Sequence, residues 1–343
     1  MKHCYTRRNF LGTTVAAGVG MSVLGGVIPS PAAGPAKGLR IGIIGLDTSH
    51  CVAFTKLLND PKAEADLGGY RVVAAYPYGS RDIESSAKRI PGYIEDIKKL
   101  DVSITESIAE LLDKVDVVLL ETNDGRLHRE QALEVFKARK PVFIDKPLAA
   151  SLADAMTIVE AAGQNNVPFF SCSSLRFIES IQKLARENTV GKILGAETYS
   201  PCSIEKTHPD LMWYGIHGVE MLFAVMGTGC KSVTRVSTEQ ADLAAGTWEN
   251  DRIGTYRGMR AGKKDYGGTV FGEKAIVNLG SYGGYRPLLV EIIKFFQTGK
   301  APVRPEETVE MFAFMEAADE SKKQGGAPVS IASMFEKAKK EKK

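Results

Sequence analysis

Aromatic and hydrogen-bonding side chains stand close together in one segment of the second half of the chain. They are His208, Asp210, Trp213 and Tyr214, and Tyr282 and Tyr285 follow later. Aromatic faces beside a few polar groups suit a carbohydrate, although aromatic residues also pack in protein cores. This segment is therefore a candidate substrate site.

The same region holds four side chains of metal-ligand type, His208, Asp210, His217 and Glu220. Common zinc sites bring ligands at short fixed spacings, such as two histidines one helical turn apart. No such pair occurs among these four residues, so the sequence predicts no metal site.

Lys146 follows a short apolar run, residues 141–144, that is typical of a buried strand. In parallel sheets the carboxyl ends of the strands form the edge at which ligands bind. An ammonium group at that edge can stabilise negative charge on a reacting oxygen. The alternative is an ordinary surface lysine at a strand end.

Apolar runs alternate with helical patterns through the first half of the chain. The runs cover residues 39–46, 71–76, 115–121, 141–144 and 167–171, with helical spacing at 106–113, 128–138 and 152–164. Strands that alternate with helices predict a parallel, doubly wound sheet. The first run ends at a glycine turn before a helix, which is the opening of a Rossmann unit. We expect this domain at residues 39–174.

A different pattern begins after residue 174. Runs at residues 193–199, 232–238, 252–257 and 267–271 are typical of an antiparallel or mixed sheet, and a helix is expected around 309–322. The expected fold class is α/β, with a Rossmann domain followed by an α+β domain at 175–331 that has a mainly antiparallel open sheet. Residues 332–343 are expected to form a basic tail. The site should lie in the cleft between the domains.

The composition is that of a folded, water-soluble protein. Of 343 residues, 44% are apolar and 25% are charged, which excludes a disordered or fibrous class. Residues 1–33 hold Lys2, Arg7 and Arg8 and no acid, so the net charge of +3 falls to 3 − 3 = 0 without them. A neutral remainder offers no long-range attraction for nucleic acid, so we expect none as a partner.

The first 33 residues have the pattern of an export signal. Arg7 and Arg8 precede an uncharged stretch, rich in small residues, that runs to Ile28, which is typical of a twin-arginine signal peptide. An N-terminal membrane anchor is the alternative, but glycine and threonine dilute the stretch. We therefore expect export of the folded protein to the periplasm, with no stable membrane insertion after processing.

Several ordered motifs resemble one enzyme family. They are Thr122-Asn123, His128, KPV at residues 140–142, Asp145-Lys146-Pro147, Arg176-Phe177, GKILG at residues 191–195 and Gly215-Ile216-His217. Together they are similar to the glucose-fructose oxidoreductase/inositol dehydrogenase (Gfo/Idh/MocA) family, from about residue 39 to about residue 331. The resemblance implies reversible oxidation of sugar or cyclitol hydroxyls with NAD or NADP. It also implies a homo-oligomer formed through the C-terminal domain sheet.

The resemblance assigns roles to two residues. Lys146 corresponds to the family's lysine beside nicotinamide and substrate, and His217 to its proton-transfer histidine. Imidazole exchanges protons near neutral pH, as the oxidation of a hydroxyl group requires. The family usually has an aspartate four residues before this histidine, where this chain has Trp213. A structural histidine is the alternative role, and Glu220 is a candidate replacement partner.

The expected cofactor loop departs from the family's Gly-x-Gly-x-x-Gly pattern. It is Gly45-Leu46-Asp47-Thr48-Ser49-His50, and Asp47 replaces the glycine that lets backbone approach the pyrophosphate. In one interpretation Asp47 caps the helix while Thr48, Ser49 and backbone amides bind phosphate. In the other, the loop has lost the dinucleotide, and Asp47 and His50 serve a substrate.

Ser80 and Arg81 stand where the family usually has a ribose-binding acid, which weakly favours NADP. Export in the folded state favours a cofactor that stays bound. The expected cofactor contacts are Gly45, Leu46, Asp47, Thr48, Ser49, Ser80, Arg81, Thr122, Asn123, His128 and Lys146, and the expected substrate contacts are Arg176, His208, Asp210, Trp213 and Tyr214.

We therefore expect an NAD(P)-dependent oxidoreductase of a sugar, cyclitol or related polyol, with Lys146 and His217 as its catalytic groups. One alternative is an enzyme of the same family that cleaves glycosides through a transient oxidation. The other is a carbohydrate-binding protein that has lost the cofactor chemistry, and the loop around Asp47 motivates it.

Overall fold

The structure, a computed structural model, describes residues 38–280 and 282–342. The predicted signal peptide lies outside these residues, so twin-arginine export stays a prediction. Within the described residues, no helix combines the length and the apolar character that crossing a membrane requires.

The first half of the chain forms a six-stranded parallel sheet with the order β3-β2-β1-β4-β5-β6. Its strands are β1 (Arg40–Ile44), β2 (Arg71–Tyr76), β3 (Ser103–Ile104), β4 (Val117–Leu120), β5 (Val142–Asp145) and β6 (Phe169–Cys172). Every residue of β4, β5 and β6 is buried, as expected for a parallel sheet covered on both faces. The predicted doubly wound sheet is confirmed, and β3 is a short edge strand that the apolar pattern missed.

Five helices connect these strands: α1 (Ser49–Asn59), α2 (Glu84–Lys98), α3 (Ile108–Lys114), α4 (Gly125–Lys137) and α5 (Leu152–Asn165). Side-chain oxygens of Thr48, Ser107, Asp124 and Ser151 accept backbone N–H groups at the starts of four of them. The cap at Asp124 starts α4 three residues before the predicted helix. The sequence pattern did not predict α2, which contains Pro91.

The second half forms a seven-stranded sheet with the order β12-β11-β7-β10-β9-β8-β13. Its strands are β7 (Ile193–Pro201), β8 (Cys230–Ser237), β9 (Ala241–Trp248), β10 (Ile253–Met259), β11 (Gly267–Gly272), β12 (Ile276–Leu279) and β13 (Val329–Ser330). All pairs are antiparallel except β7 with β10. The predicted mixed, mainly antiparallel sheet is therefore confirmed.

Five helices accompany the second half of the chain, and they cover only part of its sheet. They are α6 (Glu179–Glu187), α7 (Ile216–Met226), α8 (Arg286–Thr298), α9 (Pro305–Lys323) and α10 (Ile331–Glu341). α7 packs on β7 and β10, α9 packs on β8, and α8 returns to contact α1 beside the first sheet. Apolar side chains remain exposed along the strands, among them Val236, Ile253 and Ile276. The homo-oligomer through this sheet stays a prediction.

The C-terminal residues differ from the basic tail that we expected at 332–343. Residues 331–341 form α10, in which Ile331, Met334 and Ala338 are buried. This apolar face packs against α9 and α5, while the lysines occupy the opposite side. The basic composition thus belongs to the exposed face of a packed helix. The domain boundary near residue 174 stays a prediction.

Candidate active site

A cavity of about 200 Å³ opens at the carboxyl ends of β1, β4 and β5. Its polar lining comes from loops and helix starts and includes Thr48, Ser49, His50, Asn123, Lys146 and His217. Its aromatic wall is Tyr214, Tyr266, Tyr282 and Tyr285. The cavity therefore brings together the two residues that the sequence predicts to be catalytic.

Lys146 reaches the cavity because it directly follows β5. Its side chain is largely buried, and Nζ lies 6.0 Å from the ring centroid of Tyr214. Below it, the ring nitrogens of His128 lie 2.8 Å from Pro147 O and 2.6 Å from Thr122 O. His128 thus links the loops that follow β4 and β5, and it helps to fix the position of Lys146.

His217 lies in the first turn of α7 and is 9% exposed. Its Nδ1 lies 2.7 Å from Ser173 Oγ, and the same oxygen accepts the backbone N–H of Leu175. Burial, and then the nearby charge of Lys146, hold the pKa of His217 well below its usual range. At neutral pH His217 is therefore an uncharged imidazole with a serine partner, which the sequence pattern did not reveal.

Asp47 is fully buried and joins two neighbouring loops. Its Oδ2 accepts the N–H of Ser80 at 3.2 Å, and its Oδ1 accepts the N–H of Asn123 at 2.9 Å. The loop after β2 packs so closely that a Cβ atom added to Gly79 would lie 2.5 Å from Asp47 Cγ. We call this arrangement the Asp47 bridge. The interpretation of Asp47 as the α1 cap is wrong, because Thr48 Oγ1 accepts the N–H of His50 instead.

A family model described as an oxidoreductase family with an NAD-binding Rossmann fold, Gfo/Idh/MocA, matches residues 39–172. This segment is similar to the Gfo/Idh/MocA family. It contains the cavity residues from Thr48 to Lys146, whereas His217 and the tyrosine wall lie outside the matched segment.

Two bacterial proteins are similar to part of the chain. An uncharacterized oxidoreductase of Streptococcus pneumoniae serotype 4 is 28% identical over 121 residues, which are 34% of this chain and 32% of that protein. The inositol 2-dehydrogenase of Gluconacetobacter diazotrophicus is 39% identical over 62 residues, 18% of each chain. The matches thus span a third or less of these relatives.

The fold resembles solved structures over a much longer part of the chain. Scyllo-inositol dehydrogenase from Lactobacillus casei, solved with NAD(H) and scyllo-inositol, has a TM-score of 0.71 at 14% identity. The alignment covers 86% of this chain and 100% of that structure. At this level of identity the similarity shows the shared two-sheet fold.

Asp47 lies between the residues that line the two cavities of this sheet edge. A second cavity of about 300 Å³ is lined by Ser80, Arg81 and Asp124. Ser80 lines the second cavity and Asn123 lines the first, and the Asp47 bridge connects their backbones. The bridge therefore stands between the linings of the two cavities.

The predicted cofactor contacts divide into three groups. Thr48, Ser49, Asn123 and Lys146 line the first cavity, and Ser80 and Arg81 line the second. The others, Gly45, Leu46, Asp47, Thr122 and His128, are buried outside both linings. At the second cavity, Arg81 lies over the ring of Tyr78 at 4.9 Å, and Arg126 is paired with Asp82 and Asp124.

Of the five predicted substrate residues, only Tyr214 lines the first cavity. Arg176 is buried between Glu220 and Glu307, and Asp210 is paired with Arg235 and Lys322. His208 lies 3.3 Å from Asp124 and 4.9 Å from the Trp213 ring. Partners from distant parts of the chain thus engage these side chains in the fold.

We expect Asp47→Gly to strengthen dinucleotide binding about fivefold, or about 1 kcal/mol. The change removes a carboxylate and frees two backbone N–H donors for phosphate. Burial raises the pKa of Asp47 to about 6, so wild-type affinity should also rise as the pH falls through 6 and the carboxyl becomes neutral.

Calorimetric titration with NAD and NADP between pH 5 and pH 8 measures both effects. Asp82→Asn is the control, because it removes an exposed acid of the second cavity and leaves the Asp47 bridge in place. Equal affinities of wild type and Asp47→Gly at pH 7 would show that the bridge does not oppose the dinucleotide.

Proposed function

We propose that this protein is an NAD(P)-dependent oxidoreductase that acts on a CH–OH group of a sugar, a cyclitol or a related polyol. The observation that carries this proposal is the presence of Lys146 and His217 in one cavity at the carboxyl ends of parallel strands. The Gfo/Idh/MocA match of the first domain and the similarity to inositol dehydrogenases support it.

The two groups divide the chemistry of a hydroxyl between them. Lys146 places a positive charge beside the oxygen and favours its partly deprotonated state. Nδ1 of His217 faces Ser173, so Nε2 remains to take the hydroxyl proton. Because this imidazole is uncharged at neutral pH, it is in the state that accepts a proton.

The tyrosine wall suits a polyol of limited size. Tyr214 and Tyr266 place their hydroxyl oxygens 3.2 Å apart, and Tyr282 packs edge-on against Tyr285 with ring centroids 5.7 Å apart. Such a wall offers ring faces to C–H groups and phenol oxygens to hydroxyl groups. The proposal therefore places one ring of a sugar or cyclitol against these residues.

A second candidate, a carbohydrate-binding protein without redox chemistry, is favoured by the Asp47 bridge. It would use the same cavity and the same tyrosine wall. A glycoside-cleaving reaction, the remaining alternative, would use Lys146 and His217 as well and would differ from simple oxidation in its product.

Calorimetry with NAD and NADP, followed by a spectroscopic assay with inositols, hexoses and aryl glycosides, tests the proposal. We expect a dissociation constant below about 1 mM for one dinucleotide and stoichiometric reduced cofactor with at least one polyol. Sugar binding without measurable affinity for either dinucleotide would support the second candidate. Release of an aglycone without reduced cofactor would instead indicate glycoside cleavage.

A further inference from the structure

Three titratable side chains meet beneath the floor of the first cavity. His50 lies in the first turn of α1, Glu121 directly follows β4, and Asp145 ends β5. Because β1, β4 and β5 are adjacent in the sheet, their carboxyl ends bring these distant residues together. His50 and Asp145 also line the cavity itself.

Their ligand atoms converge on one point. His50 Nδ1 lies 2.9 Å from Asp145 Oδ2 and 3.6 Å from Glu121 Oε2, and the three atoms all lie within 4.8 Å of one another. Metal–ligand bonds of about 2.0–2.2 Å place neighbouring ligand atoms at separations like the two that involve His50. One cation can therefore contact all three side chains.

These side chains lack other partners. Glu121 is 0% exposed and Asp145 is 1% exposed. Within residues 38–280 and 282–342, the four carboxylate oxygens of Glu121 and Asp145 form no hydrogen bond of good geometry. The same is true of His50 Nδ1. The short contact between His50 and Asp145 is thus poorly aligned for an N–H to donate. Buried carboxylates are costly unless a cation or hydrogen bonds compensate them.

The neighbouring lysine supplies only part of that compensation, because its charge favours the ionised form of both carboxyl groups without a hydrogen bond to either. Lys146 directly follows Asp145, but in the part of the chain that the structure describes its Nζ forms no hydrogen bond with either carboxylate. Its ammonium group lies at the Tyr214 side of the cavity instead. Within the described residues, the two carboxylates therefore face the His50 imidazole and, farther away, the charge of Lys146.

We propose that His50, Glu121 and Asp145 bind one divalent transition-metal cation. An imidazole with two carboxylates suits Zn²⁺ or Mn²⁺ better than Mg²⁺ or Ca²⁺, which prefer oxygen ligands alone. Three protein ligands leave a coordination position for water or a substrate oxygen, and the adjacent cavity supplies the space for it. The proposal does not depend on the redox function, because metal binding is measured without cofactor or substrate.

The test uses the full chain without an affinity tag, stripped of metal with a chelator and dialysed. Calorimetric titration with ZnCl₂, MnCl₂ and MgCl₂, together with elemental analysis, gives affinity and stoichiometry. We expect one Zn²⁺ or Mn²⁺ per chain and binding of Mg²⁺ that is at least about tenfold weaker. The thermal unfolding midpoint should rise with Zn²⁺ concentration, since the metal binds the folded state.

Glu121→Gln keeps the shape of the side chain and removes its charge, so metal affinity should fall more than about tenfold. In chelator, this variant should unfold at or above the wild-type temperature, because it removes a buried carboxylate. His50→Gln is a second variant and should lose the metal in the same way. The control is His208→Gln, which removes another buried imidazole that contacts a single carboxylate.

Failure of the wild type to bind any of the three metals stoichiometrically would overturn the proposal. So would unchanged Zn²⁺ affinity in both Glu121→Gln and His50→Gln. In chelator, a lower thermal unfolding midpoint for Glu121→Gln than for wild type would contradict the proposal as well. It would indicate that an ion pair among these residues, rather than a bound metal, stabilises the fold. Metal binding without any dinucleotide binding would leave this site standing while the proposed function fails.

Discussion

Arg176→Met is expected to lower the free energy of unfolding by about 3–5 kcal/mol. The guanidinium is buried, with Nε 2.5 Å from Glu220 Oε1 and Nη2 2.5 Å from Glu307 Oε1. It links the segment after β6 to α7 and α9, so its loss leaves two buried or half-buried acids without their cation. Urea unfolding followed by circular dichroism measures the change.

A double variant separates this explanation from general damage to the fold. Arg176→Met with Glu220→Gln removes the more deeply buried acid together with the cation, so part of the lost stability should return. Burial already raises the pKa of Glu220, and removing the arginine should raise it further. The stability deficit should therefore shrink as the pH falls and the acids take up protons. A weaker substrate affinity with unchanged stability would return Arg176 to the substrate role that the sequence suggested.

Local sequence patterns were sufficient for most of the fold. The buried strands beside the cavity are continuous apolar runs, which makes β4, β5 and β6 easy to recognise. The two-residue strand β3 is too short to show a period, and α2 carries Pro91 in a largely exposed helix. The segment expected as a basic tail is the helix α10, in which only three apolar residues are buried beside three lysines, so its pattern is weak.

The sequence predicted the site residues that a strand end or a family motif marks. Lys146 follows a strand, which places it at the ligand-binding edge by the rules of parallel sheets, whereas the resemblance to the family indicated His217. Partners distant in sequence were not predictable. Asp47 meets two backbone amides of other loops, and His50 meets acids 71 and 95 residues away only because of the strand order.

Lys146→Met is expected to reduce kcat for polyol oxidation by about 10²–10³-fold, the usual cost of removing one group that stabilises charge on a reacting oxygen. The same change should alter the pH profile. The charge of Lys146 helps to hold the pKa of His217 low, so its removal should raise that pKa. Because His217 acts as a base in its neutral form, the acid limb of the kcat profile should move to higher pH.

Two control variants distinguish charge from position and from fold. Lys146→Arg keeps the positive charge, so the acid limb should stay at its wild-type pH even where the bulkier group lowers kcat. Arg89→Met removes an exposed cation from the same cavity wall and should change kcat little. Steady-state rates across pH 5–9 with the best polyol of the panel provide the measurement. An acid limb that does not move in Lys146→Met would mean that His217 is not the titrating base.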